Sequence, residues 1–215
     1  MTKVPSQKEL YKKAALYYFH DPMCSWCWGY RPTLLRLKNI LPPELALRTV
    51  LGGLAPDSQE PMPQAMQQML QKTWRNIEQQ LGTNFNHDFW RLCQPRRSTY
   101  PACRAVLAAG LQQAYEEMVL AIQQAYYLRA LNPSDEAVLI QLAGELGLKP
   151  VQFAEDLNSP LVEQQLQSDI ALAGAYPVAG FPSWVLVKDD QLIPLTLDYR
   201  DEGVTLRHLY AVLAL

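Results

Sequence analysis

The chain has 215 residues, of which 49% are hydrophobic and 19% charged, with a net charge of −2. A chain of this length and composition can bury a substantial core. The balanced charge gives no sign of a basic surface, which argues against a nucleic-acid-binding protein or one held to membranes by a basic patch.

The N-terminal residues 1–13 are polar and charged, and the apolar stretch 14–19 that follows is too short for a signal peptide or a transmembrane helix. We therefore expect a cytoplasmic protein. The four cysteines, Cys24, Cys27, Cys93 and Cys103, are too few for a disulfide scaffold. In a reducing compartment, a close cysteine pair indicates redox catalysis or metal binding.

The periodicity of apolar residues predicts strands at both ends of the chain and helices between them. In chain order, we predict a strand over 14–19, a helix over 28–41, a strand over 45–51, a helix over 62–81, one long or two consecutive helices over 101–130, helices over 134–147 (capped by Ser134), 150–158 and 160–174, strands over 183–187 and 192–197, and a helix over 204–213.

This order predicts an α/β fold that carries an inserted all-helical domain. We expect residues 1–58 and 160–215 to form the α/β domain and residues 59–159 to form the insert. The insert should pack against the sheet instead of folding alone.

The motif Cys24-Ser25-Trp26-Cys27 follows the first strand and precedes the first helix. At a helix N-terminus, the dipole and free N–H groups stabilise a Cys24 thiolate that can attack disulfides. Cys27, one turn inside, is then the resolving thiol. A zinc site, which needs two more ligands, and a pair of inert buried thiols remain alternatives. Haem attachment is excluded because position 28 is Trp and not His.

The nine residues from Asp21 to Gly29 resemble the active site of DsbA-like proteins of the thioredoxin-fold superfamily, in particular the cytoplasmic branch of disulfide isomerases with a CSWC motif. The resemblance implies a thioredoxin fold with a helical insertion. It also implies that Pro32 lies in the active-site helix and that Phe181-Pro182 forms the cis-proline loop, with Phe181 over the disulfide. Trp26, Phe181 and Pro182 are then expected to bind substrate, while Trp28 packs at the domain interface.

The proton acceptor of Cys27 is left open by the sequence. Many thioredoxin-like proteins have a buried acid six residues before the first cysteine, where this chain has Tyr18. His20 and Asp21 are the nearest candidates for a proton or charge role. His20 could stabilise the Cys24 thiolate as a cation, or it could lie at the strand end facing water.

Cys93 and Cys103 flank a basic loop, and Cys103 would lie in the first turn of the next helix, a position that favours a thiolate. We expect two separate thiols, with a second redox pair as the alternative. Arg96, Arg97 and Arg104 could bind the carboxylates of glutathione, although a solvated basic loop is the default.

The sequence thus predicts a dithiol–disulfide oxidoreductase that acts as a reductase or isomerase on protein or small-molecule disulfides, with glutathione as a further partner. Exchange between thiols needs no cofactor, and we expect no metal. The alternatives are a glutathione-dependent isomerase or transferase of the kappa type, which usually keeps a single Ser or Cys, and a non-catalytic zinc- or peptide-binding module.

Overall fold

The structure, a computed structural model, describes residues 14–214. The N-terminal segment 1–13, which we interpret as lacking a signal peptide, lies outside the described residues, as does residue 215. Within the described range, no helix is both long and apolar enough to cross a membrane.

Four strands in this range form one mixed sheet of order β2-β1-β3-β4, and they are β1 (Ala14–His20), β2 (Ala46–Leu51), β3 (Ser183–Lys188) and β4 (Gln191–Leu195). β2 runs parallel to β1, because a helix crosses over between them, and β3 runs antiparallel to both of its neighbours. Asp189 and Asp190 close the final hairpin with φ of 47° and 62°, the left-handed backbone that a two-residue hairpin turn needs.

The helices of the described range are α1 (Ser25–Ile40), α2 (Gln64–Leu81), α3 (Phe89–Leu92), α4 (Tyr100–Gly110), α5 (Tyr115–Tyr127), α6 (Glu136–Glu145), α7 (Pro150–Leu157), α8 (Pro160–Ala175) and α9 (Glu202–Leu213). The predicted α/β class with a long helical segment between β2 and β3 is confirmed.

Several helix boundaries differ from the sequence-based prediction. α1 begins at Ser25, directly after Cys24, and includes Pro32 as expected. The predicted cap at Ser134 is wrong, because its hydroxyl donates to the Ser98 carbonyl at 2.7 Å and Asp135 is the N-cap of α6. The segment 101–130 forms two helices, α4 and α5. The four-residue helix α3 is too short to show a periodic pattern and was not predicted.

The largest hydrophobic cluster joins the sheet to the helical segment. It includes Met23 and Leu51, at the edge of the sheet, together with Trp74, Met118 and Leu166 from the helices. A second cluster packs α1 and α9 on the sheet around Tyr30, Leu37 and other residues. The shared cluster agrees with the expectation that the insert packs against the sheet, while the division at 58/59 and 159/160 stays a prediction.

Trp74 of α2 is 1% exposed and is the centre of an aromatic group. Its ring contacts Phe85, Phe89, Trp90, Tyr126 and Tyr127, with centroid distances from 4.9 to 5.9 Å. Replacing Trp74 with Ala should lower the free energy of unfolding by about 3–5 kcal/mol, because it leaves a cavity among these rings.

Urea denaturation followed by circular dichroism measures this loss. Met69→Ala on the same helix is the control: its side chain is 53% exposed, so the change should stay within about 0.5 kcal/mol. A similar loss for both variants would show that Trp74 does not organise this core.

Candidate active site

Strand pairing brings three segments of the chain to one edge of the sheet. His20 at the end of β1 pairs with Leu51 at the end of β2, and Phe19 pairs with Ser183 at the start of β3. The residues that follow β1, follow β2 and precede β3 therefore meet at this edge. They are the CxxC motif, Gly52 and the Phe181-Pro182 loop.

Cys24 is the N-cap of α1. Its Sγ accepts a hydrogen bond from the Cys27 amide at 3.2 Å and donates one to the Phe181 carbonyl at 3.3 Å. The amide and the positive end of the helix dipole favour negative charge on this sulfur. Cys24 is 6% exposed and lies next to the loop before β3.

Cys27 lies one turn further into α1 and is 2% exposed. Burial raises the pKa of Cys27 well above its usual range, and the adjacent Cys24 sulfur adds to the rise. At neutral pH, Cys27 is therefore a protonated thiol. The pair is in the dithiol form in this structure.

The peptide bond between Phe181 and Pro182 is cis, as predicted. The Phe181 carbonyl faces the Cys24 sulfur. The ring packs against Gly52, where an added Cβ would approach ring atoms to 1.8–2.4 Å. Gly52 is thus required for the close approach of this loop to the strand end.

Asp21 is completely buried beneath the turn that leads into the motif. One carboxylate oxygen accepts from the Met23 amide at 2.7 Å. The other accepts from the Leu54 amide at 2.8 Å and the Thr99 hydroxyl at 2.7 Å, and the Cys103 thiol lies 3.6 Å away. Burial raises the pKa of Asp21, and these donors oppose the rise.

His20 does not face water, so that reading of the residue is wrong, whereas its proton or charge role stays a prediction. The side chain is 3% exposed, stacks on Tyr18 with centroids 5.2 Å apart and has Nε2 3.3 Å from the Tyr115 hydroxyl. Burial lowers the pKa of His20 from 6.5 to about 4, which leaves the imidazole neutral at neutral pH.

The two tryptophans of the motif region lie in different surroundings. Trp26 packs against Tyr199 with centroids 5.0 Å apart, beside Cys24. Trp28 stacks on Tyr127 and donates to the Asn84 carbonyl at 3.1 Å, which confirms its predicted place between the sheet part and the helices. An open groove of about 620 Å³ runs past Trp28 and Tyr199.

Cys93 and Cys103 have separate partners. Cys93 donates to the Ala130 carbonyl at 3.0 Å, whereas Cys103 contacts Asp21. The helix-start position of Cys103, which by itself favours a thiolate, is outweighed here: burial and the adjacent Asp21 carboxylate raise the pKa of Cys103 well above the usual range. The helix start is favourable to a thiolate only where the sulfur is not also enclosed by apolar groups and an acid.

The arginines of the basic loop pair with carboxylates of this chain. Arg96 forms an ion pair with Asp135, and Arg104 forms a bidentate pair with Asp57 and contacts Glu163. These contacts leave Arg96 and Arg104 poorly placed to bind the carboxylates of glutathione. Among residues 14–214, no three His, Cys, Asp or Glu side chains are grouped as metal ligands would be.

A family model described as thioredoxin matches residues 17–196, which is most of the chain. The chain belongs to the thioredoxin family. The resemblance to DsbA-like proteins that the CxxC motif suggested is confirmed by this match and by solved structures of the DsbA and DsbM type.

Two solved structures similar to this thioredoxin-family chain are a candidate protein disulfide isomerase from Nitrosomonas europaea and the cytosolic disulfide reductase DsbM from Pseudomonas aeruginosa with GSH. The first is 25% identical, covers 94% of this chain and 98% of its own, and superposes with a TM-score of 0.81. For the second, the identity is 26%, the coverage 94% and 100%, and the TM-score 0.72.

A curated relative is named differently. The ClpXP adapter protein SpxH of Bacillus subtilis (strain 168) is 26% identical over 203 residues, which are 93% of this chain and 64% of that protein. The chain therefore spans less than two thirds of the length of this relative.

Sequence reasoning did not identify Gly52, Thr99 and Tyr199 as parts of the site. The Gly52-Gly53 pair marked only the end of a strand, although a glycine next to a predicted strand end is also a signal of close backbone approach. Thr99 and Tyr199 lie in loops far from the motif along the chain, and no local pattern distinguishes them.

The buried neutral His20 predicts how stability depends on pH. Its folded pKa of about 4 lies below the unfolded value of 6.5, so the unfolded chain binds more protons between these values. Stability is fully present above pH 6.5 and falls as the pH decreases. Between pH 7 and 5, this residue should lower the free energy of unfolding by about 2 kcal/mol.

Urea denaturation across this pH range measures the effect. The slope due to this residue should disappear in His20→Gln and remain in His87→Gln, whose side chain is 38% exposed. An unchanged slope in His20→Gln would contradict the buried neutral state.

Contact between Phe181 and Gly52 predicts that Gly52→Ala forces the ring out of place. We expect a loss of about 1–3 kcal/mol in the free energy of unfolding, as in other overpacked sites, and an altered rate of Cys24 alkylation. Gly144→Ala in α6 is the control, since nothing lies within 4 Å of its added Cβ and a helical Ala should stabilise by up to about 1 kcal/mol. Equal stability of Gly52→Ala and the unmodified chain would rule out this packing.

Proposed function

We propose that this chain is a thiol–disulfide oxidoreductase in which Cys24 is the nucleophile and Cys27 the resolving thiol. The observation that carries the proposal is the position of the Cys24 sulfur, between the Cys27 amide and the Phe181 carbonyl. The amide stabilises the thiolate, and the loop before β3 offers backbone to an extended substrate.

The exchange proceeds in two balanced steps. The Cys24 thiolate attacks a substrate disulfide, forms a mixed disulfide and releases one substrate thiolate, which takes a proton from water. The Cys27 thiol then loses its proton and attacks the Cys24 sulfur, which releases the second substrate thiolate. The substrate disulfide is reduced and the CxxC pair is oxidised, and the reverse order oxidises a substrate dithiol.

We further propose that the chain works in the cytoplasm as a reductase or isomerase on protein or peptide disulfides. The name of the similar DsbM, a cytosolic disulfide reductase, supports this direction, and its structure with GSH supports glutathione as a partner. Trp26, Phe181 and Pro182 are proposed to contact the substrate, and the Phe181 carbonyl accepts a hydrogen bond from the Cys24 sulfur. With both cysteines retained, a kappa-type glutathione transferase is the less favoured alternative.

A second candidate function is that of an adapter, because curated relatives carry the name ClpXP adapter protein. In this alternative the chain binds a protein partner through its surface. The open groove beside Trp28 and Tyr199 is a concave part of that surface.

Reduction of insulin disulfides, together with mass mapping of the thiols in a glutathione buffer, tests the proposal. We expect activity in the unmodified chain and in the control Cys93→Ser, and background rates in Cys24→Ser. Cys27→Ser should accumulate a mixed disulfide at Cys24, because the resolving thiol is missing. Activity that persists in Cys24→Ser would overturn the assignment.

The same samples distinguish an oxidoreductase from an adapter and test the direction of exchange. An adapter without redox activity would form no Cys24–Cys27 disulfide in any buffer. A pair potential far more oxidising than about −220 mV, the upper limit of the cytosolic glutathione poise, would contradict the reductase direction but not the exchange itself.

A further inference from the structure

A narrow cavity lies behind the resolving thiol. Its volume of about 10 Å³ is enough for one water molecule. β1, α1, β2 and α5 meet around it, and its lining consists of Tyr18, His20, Cys27, Arg31, Leu34, Lys38, Thr49, Glu116, Val119 and Gln123. The cavity thus places the buried Cys27 and the ionisable Glu116 of the helical segment on one enclosed space.

Neither of the two nearest ionisable groups along the chain is a proton acceptor on this cavity, because Tyr18 lines it but keeps its proton and Asp21 does not line it. Burial raises the pKa of Tyr18 well above its usual value, so its hydroxyl keeps its own proton. Asp21 has both oxygens engaged by Met23, Leu54 and Thr99. A base for Cys27 has to be reached by another route.

Glu116 provides an exit from the cavity to solvent. Its side chain is 49% exposed, and it pairs with Lys38 at 2.7 Å, whose side chain is 20% exposed. His20 lies further inside, with Nε2 near the Tyr115 hydroxyl at 3.3 Å. A neutral imidazole can accept a proton at one nitrogen and release one from the other.

We propose that the proton of Cys27 leaves through this cavity, relayed by a water molecule and His20 to the carboxylate of Glu116, which passes it to solvent. The proposal rests on the exchange function above and concerns its second step. The Cys27 S–H bond breaks, its electron pair attacks the Cys24 sulfur, the bond from Cys24 to the substrate sulfur breaks, and no further oxidant or reductant is needed. His20 and Glu116 are positioning residues for this proton.

The charged groups around the cavity predict opposite changes in the rate of resolution for a proton role and for a purely electrostatic role of Glu116. Arg31 and Lys38 lie on α1, Glu116 on α5, and Tyr18, Tyr115 and Gln123 are uncharged near neutral pH. If Glu116 acted only through its charge, its removal would free Lys38 and favour the Cys27 thiolate, so that resolution became faster. If Glu116 accepts the proton, its removal makes resolution slower.

Rapid mixing of the reduced protein with an aromatic disulfide, dithiobis-nitrobenzoate, separates the two steps. The first thionitrobenzoate is released when Cys24 attacks, and the second when Cys27 resolves. A Cys93→Ser background removes the partly exposed third thiol from the signal. Glu116→Gln should slow the second release by about tenfold at neutral pH. An enclosed proton acceptor typically contributes roughly hundredfold, and the effect is smaller here because solvent reaches Glu116.

Three further observations distinguish a proton role from a structural one. Glu116→Asp should restore much of the rate of the second release. The slower rate of Glu116→Gln should return to normal at alkaline pH, because hydroxide then takes the proton. Glu117→Gln, which changes an exposed neighbour outside the cavity, should behave like the unmodified chain. His20→Gln should slow the second release in the same way. Failure of the first release would overturn the proposed function itself. If both releases occur and Glu116→Gln resolves as fast as or faster than the unmodified chain at every pH, the relay is wrong and the oxidoreductase stands.

Discussion

The buried carboxylate of Asp21 is the interaction on which the arrangement of this site depends. It binds the Met23 amide at the start of the CxxC turn, the Leu54 amide after β2 and the Thr99 hydroxyl before α4. A buried acceptor with these donors fixes the distances between the three segments, because each bond lost would leave a buried polar group unpaired. The helical segment is thereby attached to the sheet at the active site itself.

This attachment also explains the contrast among the thiols. Cys24 at the N-terminus of α1 is near an amide donor and the loop before β3, whereas Cys27 and Cys103 are enclosed by apolar groups and lie close to Asp21. Burial and a nearby carboxylate both disfavour a thiolate. Burial is the main reason why the pKa of Cys27 and that of Cys103 are raised, and the carboxylate of Asp21 adds to the rise most clearly at Cys103.

Much of the fold and the centre of the site could be predicted from local pattern. Apolar runs located the strands, and Phe181-Pro182 was recognised from its motif, with the cis bond confirmed. The surroundings of His20 could not be predicted, since they include Tyr115, which is 95 residues away along the chain. Cys103 shows the same limit: the helix start that favours a thiolate is visible in the sequence, but the Asp21 carboxylate packed against this thiol is not.

The sequence by itself determined that a strand, a CxxC pair and a helix follow one another, because these depend on short-range periodicity and spacing. Only the tertiary structure decided the surroundings of the pair: Gly52 beneath Phe181, Asp21 beneath the turn, and the cavity that places Cys27 and Glu116 together. Solvation and charge around a buried thiol are sums over neighbours from distant parts of the chain, and folding alone brings those neighbours together.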